Sequence, residues 1–346
     1  MNIVFVKSDI DNSHSMPYPW RGELIYRAIK KNGLHSVNLI SIEELITNSS
    51  ATNRICSSSQ LIFIQAFPDL DLLSIVNYWK SRDKKVVVDI PLCTELLFFN
   101  NGDYSNKSNQ LVKVYSGFQN NNPKKLDQME KFRWGLHLAD LIILSSHGQM
   151  ERWQTAGPIK VIPEFVELDS ISSTTRVKNK QVNIGIFTNT NNEKDPVSEI
   201  IDALKDILPE SKINRFQLRK FQENVTEKVS KDNSTFFYGN PIDFDLAIFI
   251  DTWSVRGIFR RSILEFLALN IPFLLYENNG YQDLAKYGLM IKDSYTWRNQ
   301  IIGRVQKLEN SSATNDDGYI YAIGQNIDDH INYILSIFSE IIKTSS

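Results

Sequence analysis

An α/β architecture of two Rossmann-like domains facing a cleft is predicted by three features of this 346-residue sequence. Short apolar runs rich in Val and Ile recur along it. Each is followed by a stretch with helical spacing. The alternation stops once, at a polar segment, and then begins again. Short continuous apolar runs mark parallel strands covered on both faces, and repeated strand–helix–strand order marks an open doubly wound sheet.

In the first half the strand runs are NIVFV (2–6), LIFIQ (61–65), VVVDI (86–90), LIILSS (141–146) and KVIP (160–163). GELIYRAIKKNG (22–33) sets Leu24, Ile25, Ala28 and Ile29 on one helical face, and Gly33 supplies a C-terminal stop. FVELDSISSTTRVKNKQ (165–181) is polar and without periodicity, which reads as a linker. The second set comprises VNIGIFTN (182–189), NRFQL, TFFYG, DLAIFID (245–251) and IPFLLYE (271–277), with helices such as DPVSEIIDALKDIL between them. The expected domains are therefore 1–164 and 182–325. A last helix within 326–346 carries Ile331, Ile334, Leu335 and Phe338 on a face that needs a partner, and is expected to pack back toward the first domain. Ligands are expected at the carboxyl ends of the strands.

Composition excludes several classes. Hydrophobic residues at 42% and charged residues at 23% are the usage of a soluble globular protein. A net charge of -2 with dispersed basic residues argues against a nucleic-acid surface. Two cysteines, Cys56 and Cys93, support neither a disulfide framework nor a Cys-based zinc site, and point to a reducing compartment. The opening MNIVFVKSDIDN reads as a strand followed by charge, not a signal peptide, and no apolar run approaches the roughly 20 residues that span a bilayer. Cytoplasmic is the expected location.

The stretch RRSILEFLALNIPFLLY (260–276) holds one carboxylate, Glu265, in a run that is otherwise apolar. Its helix, expected to begin near Gly257, is apolar nearly all round, leaving a polar stripe of Gly257, Arg261, Glu265 and the small Ala268. A buried unpaired carboxylate costs several kcal/mol, so Glu265 must find donors. Helix geometry alone leaves two readings open: a structural pair with Arg261 four residues earlier, or a contact to a ligand. Position favours the ligand, because the helix follows a strand directly and its first turn gathers Arg256, Arg260 and Arg261 around free backbone N–H groups. An anion is the expected guest.

Those residues carry a family resemblance. RSILEFLALNIPFLL resembles the C-terminal-domain signature of GT-B-fold retaining glycosyltransferases, NNGYQDLAKYG the loop and helix that follow it, and LADLIILSSHGQMERW with KVIPEFVEL their crossover region. The resemblance implies that Glu265 is the second Glu of the family's Glu-(seven residues)-Glu motif and binds the ribose of a nucleotide-sugar donor, with Ser262 beside it. Gly257 stands where the first Glu is usual. In IFTNTNNEKDP the resemblance implies a diphosphate contact at Lys194, while Asn189 replaces the usual Arg; Arg256, Arg260 or Arg261 are candidates for the missing charge.

On the acceptor side the family's Gly-rich turn is matched by PWRGELIYRAI, with Arg21 and Gly22 at the turn. Gly22 lets a sugar or phosphate approach a helix N-terminus, or serves only as a helix start. Asp89 falls where the family often has a histidine near the reacting carbon. None of the five histidines, His14 and His147 included, has spacing for a metal or a triad. The triplets Asp69-Leu70-Asp71 and Asp243-Phe244-Asp245 read better as loop carboxylates or helix caps than as a manganese site.

The resemblance thus implies metal-independent transfer of a sugar, with retention, from a nucleotide-sugar to an acceptor hydroxyl, with no cofactor. Lys194, Asp89 and Arg261 are the catalytic candidates. The acceptor is an unspecified glycan, lipid-linked saccharide or protein. Residues Lys124, Lys125, Lys131, Phe132, Arg133 and Trp134 offer a peripheral membrane or acceptor surface, or an ordinary amphipathic helix. Two other classes stay open: a catalytically degenerate binding or partner subunit, and another two-domain enzyme of the same architecture, such as a sugar-nucleotide epimerase or a phosphorylase.

Overall fold

A computed structural model of the chain describes residues 1–7, 21–33, 35–66, 70–90, 128–172, 182–188, 196–208, 213–217, 244–250, 260–276, 281, 283–291, 297–310 and 315–344. The chain forms two compact units. Met1–Asp11, Tyr18–Glu164 and Ile327–Ser346 belong to the first, and Phe165–Asn326 to the second.

The first unit runs β1 (Asn2–Lys7), α1 (Arg21–Asn32), β2 (Ser36–Ser41), α2 (Ile42–Thr47), α3 (Ser50–Ser58), β3 (Leu61–Gln65), α4 (Leu72–Lys80), β4 (Lys85–Ile90), α5 (Gln128–Leu138), β5 (Leu141–Leu144), α6 (His147–Trp153) and β6 (Ile159–Val161). Its six strands are parallel in the order β2-β1-β3-β4-β5-β6. Strand alternation divides the side chains between the faces. Val4, Val6, Ile62, Ile64, Val86, Val88, Ile142 and Leu144 enter a core with Leu45, Leu72, Trp79 and Phe132 from the helices on one side. Phe5 and Phe63 project to the other face, their centroids 5.2 Å apart, and Phe5 meets Tyr26 of α1.

Local chemistry sets the boundaries. Gly33 takes φ +65 after α1, a conformation that costs glycine least. Ser41 and Glu44 form a reciprocal capping box at α2, and Asp71 caps α4 by accepting from Ser74 N at 3.1 Å. β2 was not among the runs read from the sequence. Among the described residues it is an edge strand, paired only with β1 and half-exposed through most of its length, so SVNLIS has no continuous apolar run.

The second unit runs α7 (Leu168–Ser172), β7 (Ile184–Thr188), α8 (Pro196–Lys205), β8 (Ile213–Gln217), β9 (Leu246–Ile250), α9 (Arg260–Ala268), β10 (Phe273–Tyr276), a 3-10 turn at Ala285–Tyr287, β11 (Leu289–Ile291), α10 (Trp297–Asn310) and α11 (Asp316–Ile323). Its sheet is again parallel, β11-β10-β9-β7-β8. In both sheets the first strand lies between the second and the third, so each has a switch point beside its first strand, at β1/β3 and at β7/β9. Part of the segment read as a linker has structure: Val166 bridges Asn326, and Leu168–Ser172 make one helical turn. The run TFFYG lies outside the described residues.

Helix α12 (Ile327–Lys343) returns to the first unit. Its buried residues Ile327, Ile331, Ile334, Leu335 and Phe338 follow the spacing of one helical face. Phe338 meets Phe63 edge-on at 5.9 Å, and Lys31 of α1 pairs with Asp328 at 2.6 Å.

Candidate functional site

Helix α9 is positioned by Phe266, which is 1% exposed and packs among Phe187 of β7, Phe249 of β9 and Phe244, with centroids 5.3, 5.7 and 6.2 Å away. Leu267 faces α11, where a Cβ on Gly318 would come within 2.4 Å of its Cδ2. With these neighbours pointing at the sheet and at α11, helical geometry turns Arg261 and Glu265 to a third side, one turn apart.

Arg261 Nε donates to Glu265 Oε1 at 3.1 Å, and both side chains are 11% exposed. The structural partner allowed by the sequence is therefore in place, and it offsets the cost of burying the carboxylate. Arg260 turns the other way. Its Nη1 and Nη2 donate to Asp283 Oδ1 and Oδ2 at 2.7 and 2.5 Å, a bidentate pair that ties the start of α9 to the segment after β10. Burial raises the Asp283 pKa, but the Arg260 hydrogen bond and charge outweigh it and hold the carboxyl below its ordinary value. Ser262 is buried in the same turn. Asn189, Lys194, Arg256 and Gly257 lie outside the described residues. They follow β7 and β9, the two strands of the switch point.

In the first unit the structure brings Arg21 and Asp89 together. Asp89 lies on β4 in register with Gln65, on the face that Phe63 shares, so it points to the side covered by α1. Arg21, the first residue of α1, donates from Nη2 to Asp89 Oδ1 and from Nη1 to Ser145 Oγ at 3.0 Å and Ile162 O at 2.6 Å. Glu164 Oε1 stands 3.6 Å from Nη1 and accepts from Ser145 Oγ at 2.7 Å. Burial lowers the Arg21 pKa, and the neighbouring Asp89 and Glu164 more than reverse that, for a net rise. The guanidinium thus joins the carboxyl ends of β4, β5 and β6 to the start of α1, with Gly22 buried next to it. Asp89 has no exposed side-chain surface. Ser145 and Glu164 were not singled out in the sequence; only the sheet order brings them to Asp89.

The remaining candidates are separate. Asp71 is a helix cap, and Asp245 accepts from Asn183 N at 2.9 Å at the amino end of its sheet. Asp69, Asp243 and His14 lie outside the described residues, and His147 is exposed at the start of α6. On α5, Phe132 and Leu136 are buried while Arg133 and Trp134 face out, an amphipathic helix packed on α4; Lys124 and Lys125 lie outside the described residues. Among the described residues there is no group of three His, Cys, Asp or Glu side chains placed to hold a metal, and no helix long and apolar enough to cross a membrane.

No protein-family model matches the chain, and no curated protein sequence does. Solved structures do match along nearly its whole length. The N-terminal domain of trehalose-6-phosphate phosphatase from Candida albicans aligns with TM-score 0.56 at 10% identity, over 98% of this chain and 97% of that one. A protein described as a UDP-N-acetylglucosamine 2-epimerase from Listeria monocytogenes aligns with TM-score 0.54 at 10% identity, over 99% and 97%. The trehalose-6-phosphate synthase OtsA aligns with TM-score 0.52 at 10% identity, over 99% of each chain. The fold is GT-B, two parallel-sheet Rossmann-like domains in one chain. At this identity the likeness speaks for the fold alone.

Proposed function

We propose that the protein is a glycosyltransferase that takes a sugar from a nucleotide-diphosphate sugar and passes it to an acceptor hydroxyl with retention of configuration, without a metal. The observation that carries this reading is Glu265, 8% exposed on the helix after the switch-point strand β9 and paired with Arg261. A carboxylate so placed is suited to accept hydrogen bonds from ribose hydroxyls, because Arg261 already offsets the cost of its burial. Lys194, in the segment after β7, is proposed to meet the diphosphate. The glycosidic C–O bond breaks with its electron pair passing to the phosphate oxygen. Positive charge at that oxygen lowers the barrier, and the acceptor oxygen bonds to the anomeric carbon as its proton passes to the departing phosphate oxygen.

Arg260 is committed to Asp283 and is proposed to shape the start of α9 rather than bind phosphate. Asp89 is proposed to hold Arg21 rather than touch substrate. The test is nucleotide release: a panel of UDP-, GDP-, ADP- and dTDP-sugars with and without simple saccharide acceptors should yield free nucleotide with one donor. An epimerase returns the nucleotide still joined to sugar. A degenerate binding subunit, the reading favoured by Gly257 and Asn189, binds nucleotide and releases none.

A further inference from the structure

We propose that the protein self-associates through the outer edge of β2, two copies pairing antiparallel across a two-fold axis to make one continuous sheet. Hydrogen bonding divides the β2 backbone in two. Ser36 N donates to Met1 O at 3.1 Å, and Ser36 is in register with Asn2, which sets the phase of the ladder. Ser36, Asn38 and Ile40 therefore bond β1, while Val37, Leu39 and Ser41 turn their N–H and C=O groups outward. The outward N–H of Ser41 is spent on Glu44 Oε2 at 2.7 Å. Those of Val37 and Leu39 have no partner among the described residues, which run unbroken over 35–66, and both residues are partly exposed.

Chemistry at this edge selects a second copy as the partner. The other outer strands of the two described sheets are guarded against pairing: β6 and β11 are three residues long, β6 carries the exposed Lys160, and β8 carries Arg215. β2 has six residues with no charge, no proline and no bulge. Its flanks are charged in opposite senses, since Lys30 and Lys31 close α1 before it and Glu43 and Glu44 open α2 after it. An antiparallel pair sets the basic end of each copy beside the acidic end of the other, whereas a parallel pair sets like beside like. The register follows from the free groups. Val37 opposite Leu39 of the second copy, and the reverse, gives two pairs that each exchange both bonds, whereas centring the strand on Val37 or on Leu39 leaves one complete pair. The axis then passes at Asn38, whose side chain has no hydrogen-bond partner among the described residues. The two Asn38 amides face each other, each with a donor and an acceptor for the other. No other described edge is open in this way, so the pairing closes at two copies.

The test is sedimentation velocity of the full chain from about 1 to 100 μM, the range in which a contact built on one strand edge is read. A dimer is expected at the upper end, dissociating on dilution. Val37→Pro deletes one free N–H at an outward position, where an edge strand tolerates proline, and Asn38→Asp sets two carboxylates face to face. Each variant should melt as a folded protein and associate about tenfold or more weakly. Hydrogen exchange needs no variant: the Val37 and Leu39 amides should be slow in concentrated protein and fast in dilute protein. A wild-type monomer at about 100 μM overturns the inference. Unchanged association in either folded variant, or fast exchange at both amides within a dimer, overturns it too, because the interface then lies elsewhere. If Val37→Pro fails to fold, Asn38→Asp and the exchange pattern still decide.

Discussion

Arg21, the first residue of α1, and Asp89, the penultimate residue of β4, form an ion pair whose side chains are 2% and 0% exposed. Removing Asp89 leaves the buried Arg21 charge with Glu164, 3.6 Å from Nη1, as a remaining carboxylate, which puts the loss toward the lower end of the about 3–5 kcal/mol that breaking a buried ion pair costs, whereas replacing both partners with apolar residues costs less. Asp89→Ala should therefore destabilise the protein by that amount in urea unfolding. The double variant Arg21→Met/Asp89→Leu should lose less than the sum of the two single variants. A loss below about 1 kcal/mol for Asp89→Ala would show that the pair is not buried in solution.

Gly135 marks the crossing of α4 and α5. A Cβ there would stand 2.7 Å from the backbone of Leu72 and Leu73, and backbone does not yield. Gly135→Val is expected to destabilise by about 1–3 kcal/mol, read by chemical denaturation.

The Arg260–Asp283 pair predicts an acid dependence. Because the Asp283 pKa is lowered from 3.8 in the folded protein, its contribution is present above that value and is lost as pH falls through the folded pKa. Asp283→Asn should lower the Tm near neutral pH. The gap to wild type should close as the medium becomes more acidic than 3.8, and a gap that persists in acid would assign the effect to packing instead.

Cys56 is fully buried, and burial pushes its thiol up to about 12, with Lys84 opposing. Since the thiolate is the reactive form, native protein should leave Cys56 unmodified by iodoacetamide at mildly alkaline pH and release it to alkylation only in denaturant. Mass spectrometry of the Cys56 peptide reads this directly.

How much was legible beforehand depends on what each residue depends on. Runs such as VVVDI and LIFIQ declare their strands because both faces of those strands are covered, and the amphipathic spacing of Ile331, Ile334 and Phe338 declares a packed helix. Edge strand β2 stays hidden because half-exposed positions break the apolar run. The Arg261–Glu265 pair is visible as a spacing of four. The cluster of Arg21, Asp89, Ser145 and Glu164 is not, since its members are as much as 143 residues apart (164 minus 21) and meet only through sheet order. The bidentate partner of Arg260, Asp283, is hidden for the same reason, being 23 residues away.

The central claim is that a nucleotide-sugar donor binds through Glu265 and Lys194. Calorimetric titration of UDP, GDP, ADP and dTDP into the wild-type protein, Glu265→Gln and Lys194→Ala tests it most directly. One nucleotide should bind wild type, and each variant should lose about tenfold or more in affinity while melting as a folded protein. Binding of no nucleotide by wild type, or equal affinity in all three proteins, would contradict the account.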